Sequence, residues 1–225
     1  MSVNCVIGLQ WGDEGKGRIV DYLAQKADMV IRFQGGDNAG HTVVNEKGKF
    51  GLHILPSGIF NDNTMNIVGA GTVVNFDRMH SELEDIEKVT GEKIESVFID
   101  ERAHVIMPYH MARCGIRAAD ILDEETLKKK LSALLGKKNR ELEYYGLPTY
   151  TLEELLAKAK AWREEFGDHI IDTNPAVREA VEEGRNILLE GQLGIMRDND
   201  WGIYPYSTSS NPTAAGGCNG AGIPP

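Results

Sequence analysis

Two glycine-rich stretches near the N-terminus hold the residue types needed to move a phosphoryl group. They are Gly8-Leu9-Gln10-Trp11-Gly12-Asp13-Glu14-Gly15-Lys16-Gly17-Arg18 and Gly35-Gly36-Asp37-Asn38-Ala39-Gly40-His41-Thr42. In the first, glycines leave backbone N–H groups free to hold phosphate oxygens, and the helix that follows adds the positive end of its dipole. Lys16 supplies a cation and Asp13 a carboxylate. In the second, His41 brings an imidazole that titrates near neutrality and can donate to a developing phosphate charge. A cradle, an acid, a cation and an imidazole together point to phosphoryl transfer rather than to nucleotide storage.

The first stretch departs from the regular P-loop, which places four residues between its first glycine and Gly-Lys and then a Ser or Thr. Here six residues separate Gly8 from Gly15-Lys16, and Gly17 takes the place of the hydroxyl. A metal ion accompanying the phosphates then needs another ligand, and Asp13 is the candidate. A third region, Glu190-Gly191-Gln192-Leu193-Gly194 followed by Tyr204-Pro205-Tyr206-Ser207-Thr208-Ser209-Ser210-Asn211, is dense in hydroxyls and amides suited to phosphate and base contacts.

The elements that must position these residues alternate between apolar runs and amphipathic ones. Strands are predicted at Val3–Leu9, Asp28–Phe33, Thr64–Val68, Ser96–Asp100 and Ile187–Leu189, with a hairpin pairing Thr42–Val44 and Lys49–Ile54. Helices are predicted at Lys16–Lys26, at Phe76–Val89 behind an Asn75 N-cap, at Asp123–Leu135, from Thr151 to Phe166 and from Asn174 to near Gly184. Thr151-Leu152-Glu153-Glu154 fits a capping box. Glu190–Gly194 reads as the loop that ends the last strand. Alternating strands and helices predict an α/β fold, P-loop-NTPase-like, with a largely parallel central sheet flanked by helices. Phosphate-binding loops then fall at the carboxyl ends of strands, where open α/β sheets bind ligands. Residues 1–225 are expected to form a single α/β domain with a helical subregion at about 120–185.

The bulk composition narrows the function classes. The chain has 225 residues, 41% of them hydrophobic, with a net charge of -10. That charge argues against nucleic acid or an anionic membrane as partner. No apolar run approaches the roughly 20 residues that span a bilayer, and the N-terminus lacks the basic and apolar regions of a signal peptide. Cys5, Cys114 and Cys218 lie far apart, so a disulfide framework is not expected and a reducing, cytoplasmic setting is. Lys128-Lys129-Lys130 and Lys137-Lys138 read as a solvated helix face. Trp162 reads as core, and His53, His80, His104, His110 and His169 show no zinc-like spacing.

Gln10-Trp11-Gly12-Asp13-Glu14-Gly15-Lys16-Gly17, Asn38-Ala39-Gly40-His41-Thr42 and Tyr204-Pro205-Tyr206-Ser207-Thr208-Ser209-Ser210-Asn211 strongly resemble the adenylosuccinate synthetase family. The resemblance runs over nearly the whole chain and is weakest between about Asp123 and Arg185. It implies a ligase of AMP biosynthesis that joins IMP to L-aspartate while hydrolysing GTP, with Mg²⁺ and as a homodimer. It further implies that Asp13 is the base that takes the N1 proton of IMP and that His41 is the acid. Gly12, Asp13, Glu14, Gly15, Lys16, Gly17 and Arg18, with Gly40, His41 and Thr42, match the family's GTP-binding positions. Asp13, Glu14, Gly15, Lys16, Asn38, Ala39, Gly40, His41, Arg113, Gln192 and Thr208 match the IMP positions, Arg113 reaching a neighbouring subunit's nucleotide. Asp13 and Gly40 match the metal ligands.

Three departures qualify the match. Family members are considerably longer, and the part expected after Gly222-Ile223-Pro224-Pro225 normally carries guanine and aspartate recognition. A glycine- and threonine-rich IMP loop is expected between the segments matching His110 and Arg113, where this sequence runs straight through. The family's Glu-Gly-Ala-Gln-Gly reads Glu190-Gly191-Gln192-Leu193-Gly194, so its amide stands one place early. The 225 residues alone are therefore expected to show weak or absent ligase activity. The alternatives are a nucleotide- or phosphate-binding paralogue and a fragment of a longer product.

Overall fold

The computed structural model describes residues 2–38, 40–109 and 115–224. Its centre is a six-stranded parallel sheet built from β1 (Ser2–Gly8), β2 (Met29–Arg32), β5 (Met65–Val68), β7 (Val97–Asp100), β9 (Ile170–Ile171) and β10 (Asn186–Gly194). The spatial order is β1-β10-β2-β5-β7-β9, every neighbouring pair parallel. The central strands read as continuous apolar runs because helices cover both faces of the sheet. Met29, Val30 and Ile31 are all buried, although they alternate between faces.

α1 (Lys16–Ala24) packs Val20 and Ala24 onto Val30 and Leu188 of one face. α6 (Asn174–Glu182) and α7 (Ala214–Ala221) cover the other, where Val177, Ala180 and Ala221 meet Met29, Ile31 and Leu189. A larger core gathers the hairpin β3 (His41–Asn45) and β4 (Gly48–Leu52) with α2 (Phe76–Thr90), α3 (Ala118–Leu122), α4 (Glu124–Tyr144) and α5 (Leu152–Phe166). In it Phe76 lies against both Trp162 and Phe166, with ring centroids 5.4 and 5.2 Å apart. A short parallel pair, β6 (Val73–Val74) and β8 (His104–Val105), stands beside the sheet.

The expected N-caps form. The Asn75 side chain accepts from Arg78 N–H, and Thr151 and Glu154 close a reciprocal capping box at the start of α5. Replacing Thr151 with alanine leaves the Glu154 N–H in the first turn of α5 without its side-chain acceptor, and the expected loss is about 1 kcal/mol. Urea unfolding measures it as a lower midpoint at constant slope.

Three expectations need correction. Glu190–Gly194 is not a loop but the end of β10: Glu190 pairs with Val6 of β1 and Arg32 of β2, and the strand beyond it stays on β1 as far as the Gly8↔Gly194 pair. α4 runs past Leu135 and through Gly136 to Tyr144, since Leu127, Leu131 and Leu142 form one buried stripe facing α5. Lys138 lies on that buried side rather than on a solvated face, its ammonium 2.9 Å from Glu141. The glycine-rich Ala214–Ala221, for which the sequence predicts no element, is a helix N-capped by Thr213. Trp162 is core as expected, with its Nε1–H donating to Asp77 at 2.7 Å. Among the described residues no helix is long and apolar enough to cross a membrane.

Candidate nucleotide-phosphate site

The strand order builds the site. β10 inserts between β1 and β2, so the loops leaving β1 and β2 flank its carboxyl end. Between them lies a cavity of about 310 Å³. Gly12, Asp13, Gly15, Lys16 and Gly17 line it from the first loop, Gly40, His41 and Thr42 from the second, and Arg32, Glu190, Gly191, Gln192 and Leu193 from the strand ends. Asp13 and His41 therefore share one cavity, as phosphoryl transfer requires.

Local backbone explains the glycines. Gly15 is the N-cap of α1 in left-handed backbone, φ 87° and ψ 28°, and no side chain caps that terminus. The first-turn N–H groups of α1 are left to a ligand, the arrangement that holds anions at helix starts. Gly17 has a different reason. A Cβ there would overlap Cδ2 of the His41 ring, and its next neighbours are Cγ and Nε2 of the same ring. A P-loop hydroxyl is excluded at this position because an imidazole lies over it.

Lys16 rests inside its own loop, donating to Gly12 C=O at 3.2 Å and standing 3.7 Å from Glu14. Burial pushes its ammonium below the usual lysine range, while the charges of Glu14 and Glu190 pull the other way. Glu14 does not line the cavity. Its Oε1 accepts from Gln10 N–H at 2.6 Å. Burial acts to raise that carboxyl, but backbone N–H groups and Lys16 outweigh it and hold it low. Arg18 is exposed on α1, outside the lining.

His41 is held from behind. Its Nε2 lies 2.8 Å from the Ser57 hydroxyl and 3.6 Å from Glu190 Oε1. Burial lowers the affinity of the ring for a proton, and Arg32, His53 and Lys16 act in the same direction against Glu190. The free protein thus presents a neutral imidazole near pH 7, and an arriving polyphosphate shifts the balance towards the charged ring.

Three buried charges support these loops. Arg32 is fully buried, and its guanidinium donates to the His53 carbonyl and, at 2.7 Å, to the Gly36 carbonyl. Glu82 accepts from the N–H groups of His53, Ile54 and Leu55. Glu190 accepts from Ser57 N–H at 2.8 Å and from Ser57 Oγ–H at 2.6 Å. Sequence reasoning missed Arg32, Ser57 and Glu82. Arg32 carried a usable signal, a charge at the end of the apolar run Met29-Val30-Ile31.

Asn38 and Thr208 line a second cavity, of about 470 Å³, with Gly35–Asp37 and Ser209–Asn211. Gln192 adjoins both spaces: it lines the first and donates to the carbonyl of Gly36, which lines the second, at 3.0 Å. The early placement of this amide is absorbed by the backbone. The pairing steps from Val6↔Glu190 to Gly8↔Gly194, and Leu193 takes φ 61°, a conformation costly for a residue with a Cβ. Gln192 consequently stays inside, packed on Gly35, where a Cβ would collide with its side-chain amide. Ala39 and Arg113 lie outside the described residues.

A glycine-rich turn with a lysine, opening a helix at the edge of a parallel sheet and facing a carboxylate and an imidazole, defines a phosphate-binding α/β protein of P-loop type. A sequence model of adenylosuccinate synthetase matches residues 5–113 and 110–225. Adenylosuccinate synthetase 1 of Methanosarcina acetivorans is 40% identical over 253 positions, which take in all of this chain and 59% of that protein. The adenylosuccinate synthetase of Dehalococcoides mccartyi is 40% identical over 256 positions, 60% of its length. The solved structure of fully ligated adenylosuccinate synthetase from Plasmodium falciparum superposes with a TM-score of 0.85 at 29% identity, over 99% of this chain and 58% of that one. A cyanophage succinoaminodeoxyadenylate synthetase bound to dGMP and dATP shares the fold at a TM-score of 0.62. The chain belongs to the adenylosuccinate synthetase family. It spans about 60% of the length of the curated relatives it matches. Within the aligned stretch, 253 positions against 225 residues leave about 28 positions of the Methanosarcina relative without a counterpart. The two matched segments meet at residues 110–113, where the expected internal loop is missing from this sequence.

Proposed function

We propose that this chain carries the phosphoryl-transfer half of a GTP-dependent ligase that joins IMP to L-aspartate. The observation that carries the reading is the shared cavity, where Asp13, Lys16 and His41 face the uncapped start of α1. In this reading the Gly12–Arg18 loop and Gly40–Thr42 hold the GTP phosphates, and Asn38, Ala39, Gln192, Thr208 and Arg113 hold IMP. Asp13 takes the proton from N1 of IMP, so that O6 can attack the γ-phosphorus. The bond from that phosphorus to the β,γ-bridging oxygen breaks and GDP departs. His41 and Lys16 stabilise charge on the transferring group, the role positioned cations and donors play in phosphoryl transfer. The amine of L-aspartate then displaces phosphate from C6. The match of Arg113 to a residue that crosses to a neighbouring subunit makes a homodimer part of the proposal, and the cysteine usage a cytoplasmic setting.

Among the described residues no three side chains form a metal cluster. Magnesium needs only one or two protein oxygens, the rest of its ligands being phosphate oxygens and water. The Asp13 carboxylate and the Gly40 carbonyl, both on the cavity wall, would hold it. When bound, it neutralises charge on the β- and γ-phosphate oxygens.

Isotope exchange tests the proposal. With GTP labelled at the β,γ-bridge, IMP-dependent scrambling into non-bridging positions is expected, and Asp13→Asn is expected to slow it at least about 100-fold, the scale of a lost general base. GTP binding without any IMP-dependent scrambling would sink the transfer reading and leave a phosphate-binding module.

A further inference from the structure

Behind His41 lies a buried pair that the transfer chemistry does not itself use. Ser57 is fully buried in a 3₁₀ turn, and Glu190 is 4% exposed in the middle of β10, at the last residue that pairs with β2. The register places Glu190 directly beside Arg32 on β2. A carboxylate buried within a central strand is costly to desolvate, and here both of its oxygens are engaged. One oxygen accepts from Ser57 N–H at 2.8 Å and the other from Ser57 Oγ–H at 2.6 Å.

These bonds fix a direction. A carboxylate only accepts hydrogen bonds, and a serine hydroxyl has one proton. The Ser57 proton is committed to Glu190, so the Ser57 oxygen faces His41 Nε2, at 2.8 Å, as an acceptor. The neutral ring must then carry its proton on Nε2. We propose that Ser57 and Glu190 are positioning residues that lock the His41 imidazole in the Nε2–H tautomer, leaving the Nδ1 lone pair as the ring's basic site. Resting on the role given to His41 above, this makes Nδ1 the atom that takes up the proton the ring then donates to the transferring phosphate. Gly17 completes the lock from the opposite side, since the ring occupies the space a Cβ would fill.

The pair has a structural alternative, that it merely fills the core. The two roles separate on Glu190→Gln. Ser57 N–H still requires an oxygen, so the amide oxygen takes the Oε2 position and the NH₂ faces the Ser57 hydroxyl. That group is a donor, so Ser57 now accepts from it and turns its own proton towards His41 Nε2. The neutral ring must move its proton to Nδ1. Volume and shape barely change, so a space-filling role moves nothing.

Long-range ¹H–¹⁵N correlation on ¹⁵N-histidine protein reads which ring nitrogen is protonated. The His41 signal is identified by its loss in His41→Asn, and the sample is held at about pH 8, above the ordinary imidazole range. The unmodified protein is expected to show the Nε2–H tautomer. Glu190→Gln is expected to raise the ratio of Nδ1–H to Nε2–H at least about tenfold, equivalent to one exchanged hydrogen bond. An Nδ1–H ring in the unmodified protein overturns the proposal without any variant, and so does a folded Glu190→Gln protein with an unchanged ratio. Absence of isotope scrambling would sink the transfer reading while leaving this tautomer result standing.

Discussion

Gly17→Ala is expected to fold normally and to lose about 100-fold in phosphoryl transfer. Alanine at the second position of a helix is intrinsically favoured over glycine by up to about 1 kcal/mol. The three nearest atoms to the new methyl all belong to the His41 ring, the mobile end of a side chain rather than backbone. The fold yields by moving the ring, so stability changes little. The site does not tolerate the move, because displacing a positioned group by about 1 Å is enough to cost roughly two orders of magnitude in rate. Scrambling of labelled GTP measures the loss and urea unfolding the stability. Gly15 offers the internal contrast. A Cβ there meets nothing within 4 Å, but φ 87° disfavours any side chain, so its substitution is expected to strain the α1 start instead of the imidazole. If Gly17→Ala transferred phosphate at the unmodified rate, the ring would not be fixed where the site needs it.

The sequence disclosed the parts of the fold that are decided locally. An N-cap such as Asn75, the Thr151–Glu154 box and the apolar run of β2 each carry their physics within a few residues. Both glycine-rich loops were legible because they follow strands, and ligand loops in parallel sheets fall at strand carboxyl ends. What stayed hidden depends on chain segments far apart in sequence. Glu190-Gly191-Gln192-Leu193-Gly194 has the composition of a loop, and it is a strand only because β1 holds it as far as Gly194 and β2 holds its first residue. Burial between neighbours overrides strand propensity there. Gly136 costs α4 up to about 1 kcal/mol relative to alanine, yet the helix continues because Leu142 remains to be buried. The same insertion of β10 between β1 and β2 brings Glu190 beside Arg32 and within hydrogen-bond reach of Ser57. Nothing local to position 57 announces that its hydroxyl lies between an imidazole and a carboxylate.

Arg32→Met is expected to destabilise the protein by about 3–5 kcal/mol, the scale of breaking a buried charge pair from one side. Methionine replaces the hydrophobic stem of the arginine but none of its donors. The carbonyls of Gly36 and His53 each lose a charged partner, and Glu190 and Glu82 lose a countercharge inside the core. Burial pushes the guanidinium itself below the usual arginine range, with Glu190 and Glu82 opposing that push, so each charge is tolerated on account of the others. Against a typical total of about 5–15 kcal/mol, such a loss lowers the melting temperature by of order 10 °C. The Gly36 carbonyl keeps its bond from Gln192, whereas His53 and the turn leading to Ser57 lose a firmer anchor, so triphosphate affinity is expected to fall with stability. The pairing has a sharper signature in a double-mutant cycle. Glu190→Gln removes the charge that Arg32→Met leaves stranded, so the double variant is expected to lose about 1–3 kcal/mol less than the sum of the single losses. Calorimetry on the four proteins decides it. Strict additivity would mean that Arg32 and Glu190, though adjacent in register, do not sustain one another, and the three buried charges would then be independent supports rather than one frame beneath the two loops.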